Sequence, residues 1–320
     1  MDAKLSRDRL VPKSNNLSDF LFKEVQSARG GGSRPVLPSV KASLDGQVGI
    51  GKPIDFVLTA VAHKSPSEVA NAGRTSPDLA ELGFLLHLND IIYGVQSFYP
   101  PGARFTFLTE GQFFKSFDLF DVSDEEIQEY EDGVASLANA VNPDGFRFVP
   151  LKSIIDRDED FGRNVVYEKA KIEAQDYEPF IGVMQRAMSK RQIDEGVAPE
   201  DMAKSYVAIR NAKHQKLDGS GRSSVQAFLD EEYGANGYIY CSLNASGKMD
   251  TLSIDPYRTP ATNPPPQHGR GVLLGGTSRI DVVPYEAVED QARSTHVHQI
   301  IINELGQEPF GYINQGKRRV

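Results

Sequence analysis

The stretch that most constrains the fold is Ile54–Ala62, IleAspPheValLeuThrAlaValAla. It is dense in apolar and β-branched residues. A strand of that composition has to be covered on both faces, as in an α/β sheet. Pro66 prevents it from continuing as an interior strand. The run therefore delivers Lys64 onto a turn, and a polar loop follows. Ser76 to Tyr99 then carries helix signals. Ser76 is placed to cap, Pro77 to occupy the first helical position, and Asp78 and Glu81 to face the positive end of the dipole. Leu79, Leu82, Leu86, Ile91, Val95 and Phe98 keep roughly helical spacing, and Pro100, Pro101 and Gly102 end the element.

The rest of the chain reads as follows. Residues 1–36 are polar and punctuated and read as a flexible N-terminal arm; Leu17 to Val25 is amphipathic, and Phe20, Leu21 and Phe22 are suited to docking on a neighbour. Arg104 to Thr109 and Gln112 to Phe117 read as strands around a Glu110-Gly111 turn. Ser123 with Glu126 forms a capping box for a helix to about Val141. A turn at Asn142–Gly145 precedes a strand from Phe146 to Val149. Tyr167 to Ile193, Pro199 to Leu217 and Val225 to Tyr233 read as helices. Strands follow at Gly237 to Leu243, Met249 to Ile254, Arg279 to Val283 and His298 to Ile302. The first two read as a hairpin through Ala245–Lys248. Five prolines make Asp255 to Gly271 a stiff loop.

The expected fold class is α/β: a Rossmann-like sheet with flanking helices, a helical middle and a β-rich C-terminal part. Residues 37–320 read as one catalytic unit, divided into an α/β core (37–160), a helical part (165–234) and a β-rich part (235–320). A chain of 320 residues can bury such a core. A formal charge of −9 argues against nucleic acid, because phosphate contacts need a basic surface. Met1 to Lys13 lacks an apolar h-region, and the longest apolar run is too short to span a bilayer, so neither a signal peptide nor a membrane is expected. The lone cysteine, Cys241, excludes an internal disulfide framework and fits a cytoplasmic setting.

Lys64 is the first candidate for chemistry. In water only about one lysine in ~2,500 is neutral at pH 7, so attack on a carbonyl requires a pKa lowered by roughly three units. Burial against the strand, or a cation such as protonated His63 or Arg74, would lower it. The plainer reading is a solvated or anion-binding lysine. Asp78 and Glu81 share a helix face and suit a substrate ammonium or proton transfer; helix-end charge explains Asp78 equally well. Arg74, Arg104, Lys115, Arg258 and Arg270 are candidate phosphate clamps, without a P-loop or GxGxxG to support nucleotide binding. His296-x-His298 lacks a locatable third ligand, so no metal is expected. His268, after three prolines, is the histidine best placed for acid–base work. No GxSxG is present.

Four of these motifs together resemble the isocyanide (isonitrile) synthase family of pyoverdine/dityrosine biosynthesis proteins. They are Ile54–Leu58 leading into His63-Lys64-Ser65-Pro66, Thr75–Glu81, Tyr99–Arg104 and Thr109–Phe114. The resemblance continues to Tyr130 and weakens beyond it. It implies an enzyme that joins an amino acid's α-amine, usually of tyrosine or tryptophan, to a carbon drawn from ribulose 5-phosphate. No metal or organic cofactor is implied. An imine chemistry gives Lys64 a role, and Glu81 and His268 become the other candidate catalytic residues. His63, Ser65, Arg74, Asp78, Arg104 and Glu110 become candidates for substrate binding. The partners implied are an amino acid, aromatic by family usage, and a sugar phosphate; a homodimer is compatible with this reading. The sequence departs from the family pattern at Ser67, at Thr59, Val61 and Ala62 before the lysine, at Thr109, Glu110 and Gln112, at Asn244, and at Gln267 beside His268. A divergent member is therefore expected. The alternative is a non-catalytic or repurposed homologue that binds a small amine or a partner.

Overall fold

The structure is a computed structural model that describes residues 12–25, 38–60, 76–214, 224–234, 237–242, 252–254, 270–274, 280–283, 297–301 and 309–314. Its frame is a five-stranded sheet with the order β3-β2-β1-β4-β5 and every pairing parallel. The strands are β1 (Ile54–Ala60), β2 (Ala103–Thr109), β3 (Phe146–Pro150), β4 (Ile239–Ser242) and β5 (Leu252–Ser253). The chain winds outward from β1 through β2 to β3, then returns to place β4 on the other side of β1. That reversal between β1 and β4 is a topological switch point, where open α/β sheets leave a crevice above the carboxyl ends of the strands.

Alternation along the strands divides the core. Phe56, Leu58, Phe105 and Phe107 face one side, where they meet Leu85, Leu88 and Ile91 of α3 (Leu79–Gln96) and Tyr130 and Val134 of α5 (Asp124–Val141). Val57 and Leu108 face the other. There they join Phe113 of α4 (Gly111–Lys115), Leu151 and Ile154 of α6 (Leu151–Ile155), Val165 of α7 (Phe161–Lys171), Met184 of α8 (Ala174–Ala187), Val207 of α10 (Pro199–His214) and Leu229 of α11 (Ser224–Tyr233). Short α9 (Lys190–Asp194) lies between α8 and α10 in the chain. Stacked aromatic pairs tie the first face together: Phe56–Phe105 at 4.9 Å and Phe107–Phe148 at 5.0 Å between ring centroids.

Helix α3 is buried on nearly every side, because a second sheet covers the face turned away from the first. That sheet has the order β7-β6-β9-β8 and comprises β6 (Arg270–Leu274), β7 (Ile280–Val283), β8 (Val297–Ile301) and β9 (Pro309–Asn314). It packs on α3 through β6, β7 and β9. A Cβ added at Gly311 would meet Leu79 at 2.6 Å, and one at Gly83 would meet Ile280 at 3.1 Å. The absent side chains let strand and helix approach closely.

Several sequence expectations change. The Gln112–Phe117 strand is helix α4, since Phe113 and Phe114 fill the core from a helical turn and β2 continues into β3 as a parallel neighbour rather than a hairpin. β4 and β5 are likewise parallel, so the hairpin there is corrected; the turn at 245–248 lies outside the described residues. The Tyr167–Ile193 helix is three helices. Capping boxes at Glu173 with Asp176 and at Ser189 with Gln192 restart it twice. The cap of α3 is Asp78, not Ser76, so Pro77 precedes the helix. Strands β6 and β9 have no counterpart among the expected strands, and the stiff loop ends before Arg270, since Arg270 and Gly271 belong to β6. Within the β-rich part, β4 and β5 join the first sheet and β6 to β9 form the second.

The N-terminal segment is the largest correction. Leu17–Asp19 forms α1 and continues as a π-helical turn, Phe20–Val25. Phe20 and Leu21 are completely buried, with Phe22 and Val25 nearly so, in the core of the same chain. This part of the arm is structural, because four large apolar side chains in six residues stabilise it by burial. Helix α2 (Pro38–Ile50) follows and buries Val40 and Leu44. Among the described residues no helix is long and apolar enough to cross a membrane.

Candidate functional site

Polar groups gather where β1, β2 and β4 end. On the α3 side, Asp78 and Glu81 form a reciprocal cap. The Asp78 carboxylate accepts from the Ala80 N–H at 2.7 Å, and the Asp78 N–H donates to Glu81 Oε2 at 2.8 Å. Glu81 Oε1 accepts from the Tyr130 hydroxyl at 2.9 Å. Both carboxylates are buried, at 0% and 2% exposure. These bonds order the first turn of α3, the contribution that the plainer sequence reading assigned to Asp78.

One residue beyond Tyr130, Glu131 reaches the end of β2. Its carboxyl lies beside the Thr109 hydroxyl and the Gly111 N–H, both of which favour its charged form, while Oε1 is buried with no hydrogen-bond partner among the described residues. Burial raises this carboxyl from its ordinary 4.5 to about 7, against those two polar neighbours and with a small push from Asp132. Glu131 therefore exchanges its proton near neutral pH. The folded state holds the proton up to about pH 7, whereas an unfolded glutamate releases it near 4.5, so this group destabilises the fold progressively as pH climbs between those values. Glu131→Gln is expected to be close to neutral in urea titrations at pH 4.5. At pH 8 it should stabilise by about 2 kcal/mol, after allowing for solvent screening of a half-buried group. Equal effects at both pH values would refute the assignment.

On the α10 side, Lys213 Nζ meets Glu110 Oε1 at 2.6 Å, with side-chain exposures of 4% and 13%. Tyr206 and Tyr240 lie close enough to Glu110 for its charge to add to the burial that raises both phenols. The Tyr240 hydroxyl donates to Thr59 Oγ1 at 3.4 Å, linking β4 to β1 at the switch point.

Of the residues singled out in the sequence, the structure gathers Asp78, Glu81 and Glu110 at this end. Arg104 is elsewhere. It pairs in bidentate fashion with Asp55, one contact being 3.2 Å, near the amino ends of β1 and β2. Five strand residues, ~16 Å, separate it from Thr109. Its expected role at the carboxyl-end site is therefore corrected. Lys115 pairs with Asp124 at 2.8 Å. Lys64, His63, Ser65, Arg74, Arg258, His268 and His296 lie outside the described residues; Lys64 follows the end of β1 by four positions in sequence. Among the described residues no cluster of His, Cys, Asp and Glu suits a metal ion. Sequence reasoning missed Glu131, Lys213, Tyr206 and Tyr240. The available signal was the 206, 210, 213 spacing, which places polar residues on one face of a helix that is otherwise rich in buried Ala, Val and Ile.

Residues 44–210 match the family described as pyoverdine/dityrosine biosynthesis protein. That is more than half of the chain. The chain belongs to this family. Among curated relatives, an L-tyrosine isonitrile synthase of Xenorhabdus nematophila is 36% identical over 95 residues, 30% of this chain and 26% of that protein. An L-tyrosine isonitrile synthase of Pseudomonas aeruginosa is 37% identical over 101 residues, 31% and 28%. An L-tryptophan isonitrile synthase of Fischerella ambigua is 28% identical over 120 residues, 38% and 35%. The chain thus spans about a quarter to a third of the length of these relatives. The crystal structure of the PvcA protein from Pseudomonas aeruginosa shares the fold at a TM-score of 0.65 and 18% identity, covering 86% of this chain and 92% of that one. The pyoverdine/dityrosine match takes in β1 to β3 and the caps, and with them Asp78, Glu81, Glu110 and Glu131.

Proposed function

We propose that this chain is an isonitrile synthase-like enzyme, which condenses an amino acid's α-amine with a sugar phosphate, ribulose 5-phosphate, in natural-product biosynthesis. The observation that carries the reading is Glu131, a carboxyl that titrates near neutral pH at the carboxyl ends of the strands within the segment that matches the family. The names of the curated relatives supply the reaction class.

The first step needs an acid and a base of that kind. Once neutral, the amine forms a C–N bond to the ketone carbon as the C=O π bond breaks, and one proton passes from nitrogen to the carbonyl oxygen. The hydroxyl takes a second proton and leaves as water while the nitrogen lone pair forms the C=N bond, and loss of the remaining N–H proton to the base gives the imine. Glu131 is suited to deliver and recover that proton, because a donor and acceptor is most effective with a pKa near the working pH. Asp78 and Glu81 are suited to hold the ammonium before attack. Lys64 is assigned the electrostatic or imine-forming role, Arg74 a place on the phosphate or carboxylate, and His268 a share of the acid–base work.

The test incubates the full chain with tyrosine or tryptophan and isotopically labelled ribulose 5-phosphate, with product read by mass spectrometry. The expected result is an isonitrile carrying one labelled carbon, lost by at least a hundredfold in Glu131→Ala. Borohydride trapping with a Lys64→Ala control separates covalent from electrostatic use of that lysine. A folded protein that gives neither product nor adduct across amino acids and sugar phosphates would favour the non-catalytic homologue instead.

A further inference from the structure

Helix α10 presents Tyr206, Arg210 and Lys213 at spacings of four and three, one face over two turns. Lys213 is 3% exposed and spends its charge on Glu110. That pair explains itself as a tie between α10 and the sheet. Arg210 is not explained that way. Its guanidinium lies over the Phe180 ring at 5.1 Å and near enough to the Tyr206 phenol to oppose the upward push of burial on it, and among the described residues it forms no ion pair with a carboxylate. Tyr206 stacks on Phe114 at 5.8 Å and sits 5.5 Å from Phe180, so the guanidinium is held against aromatic walls rather than in open water. This group therefore holds two fixed cations, Arg210 and Lys213, and one carboxylate, Glu110. The imbalance of one positive charge sits beside the end of β2, on the side of the sheet where the Tyr240–Thr59 bond marks the switch point.

We infer that Arg210 and Lys213, with the Tyr206 hydroxyl, form a subsite for the anionic group of a substrate, a phosphate or a carboxylate. Glu110 is the internal counter-ion that keeps Lys213 satisfied. Arg210 is the cation left over for the ligand, and its planar fork suits either group through paired N–H bonds. The aromatic walls lower the local dielectric and strengthen the attraction. The subsite rests on the proposed function only for the identity of the ligand; the binding of an anion stands by itself.

The experiment is calorimetric titration of the full chain with inorganic phosphate, ribulose 5-phosphate, tyrosine and tyramine, which lacks the carboxylate. Arg210→Gln, at a half-buried position, is measured beside the paired variant Glu110→Gln/Lys213→Met, with melting temperatures recorded for both. Arg210→Gln is expected to weaken the anion it holds roughly ten- to hundredfold. Weakening of phosphate and ribulose 5-phosphate alone assigns the phosphate. Weakening of tyrosine with tyramine unchanged assigns the carboxylate. The inference is overturned if folded variants bind all four probes as the wild type does, or if the wild type binds none of them. Anion binding that depends on Arg210 in a protein without turnover would uphold the subsite and reject the synthase reading.

Discussion

Lys213→Met is expected to lose about 3–5 kcal/mol of unfolding free energy, because it strands the Glu110 carboxylate at 13% exposure with its ammonium partner gone. The size follows from what remains. Breaking a buried pair from one side leaves the full desolvation penalty of the other charge, whereas removing both sides leaves almost none. Glu110→Gln/Lys213→Met should therefore recover most of the loss, and the two single changes should be far from additive. Urea denaturation of the four proteins measures this directly. Additive effects, or a single Lys213→Met that costs under about 1 kcal/mol, would mean that water reaches the pair and that it acts like a surface ion pair.

The second large effect concerns the N-terminal segment. Gly94 in α3 lies under the Phe20 ring, and a Cβ there would stand 2.1 Å from Phe20 Cζ. Helix propensity alone favours Gly94→Ala by about 1 kcal/mol. The clash acts in the opposite direction and is larger. The ring cannot be tolerated at that distance, so the π-helical turn with Phe20, Leu21, Phe22 and Val25 must shift or leave. Losing even two of those side chains from the core costs about 3–6 kcal/mol, at 1.5–3 kcal/mol each. Gly94→Ala is thus expected to destabilise by about 3 kcal/mol or more and to expose residues 17–25 to proteases. Phe20→Leu in the same chain should restore part of the loss by clearing the space. A stabilising Gly94→Ala would show that the segment does not dock as described.

How much of this was legible beforehand depended on whether the cause was local. The Ile54 strand was legible because a run of apolar residues leaves a strand little choice but burial on both faces. The Ser123–Glu126 cap was legible because its two hydrogen bonds join residues three apart. The α4 segment misled because Phe113, Phe114 and Phe117 have high β-propensity; a helix wins there only because β2 runs parallel to β3, which the local sequence does not state. Arg104 looked like a phosphate clamp until register set it opposite Asp55. Lys213 carried no local signal, since its partner is 103 positions away. Phe20 read as part of an arm because the short apolar run Phe20–Phe22 stands among longer polar, Gly- and Pro-punctuated segments.

The order of the first sheet also matters while the chain is being made. β1 has β2 on one side and β4 on the other, and β4 begins 89 residues after β3 ends, from Pro150 to Ile239. At ~5–20 residues per second, a ribosome takes about 4–18 s to supply them. For that interval an apolar parallel strand has one bare hydrogen-bonding edge, the condition under which nascent chains pair with one another. Slow supply of the 151–238 segment, by rare codons or limiting amino acids, is thus the point in synthesis at which this protein is most exposed to aggregation. Chaperone demand should peak there rather than at chain release.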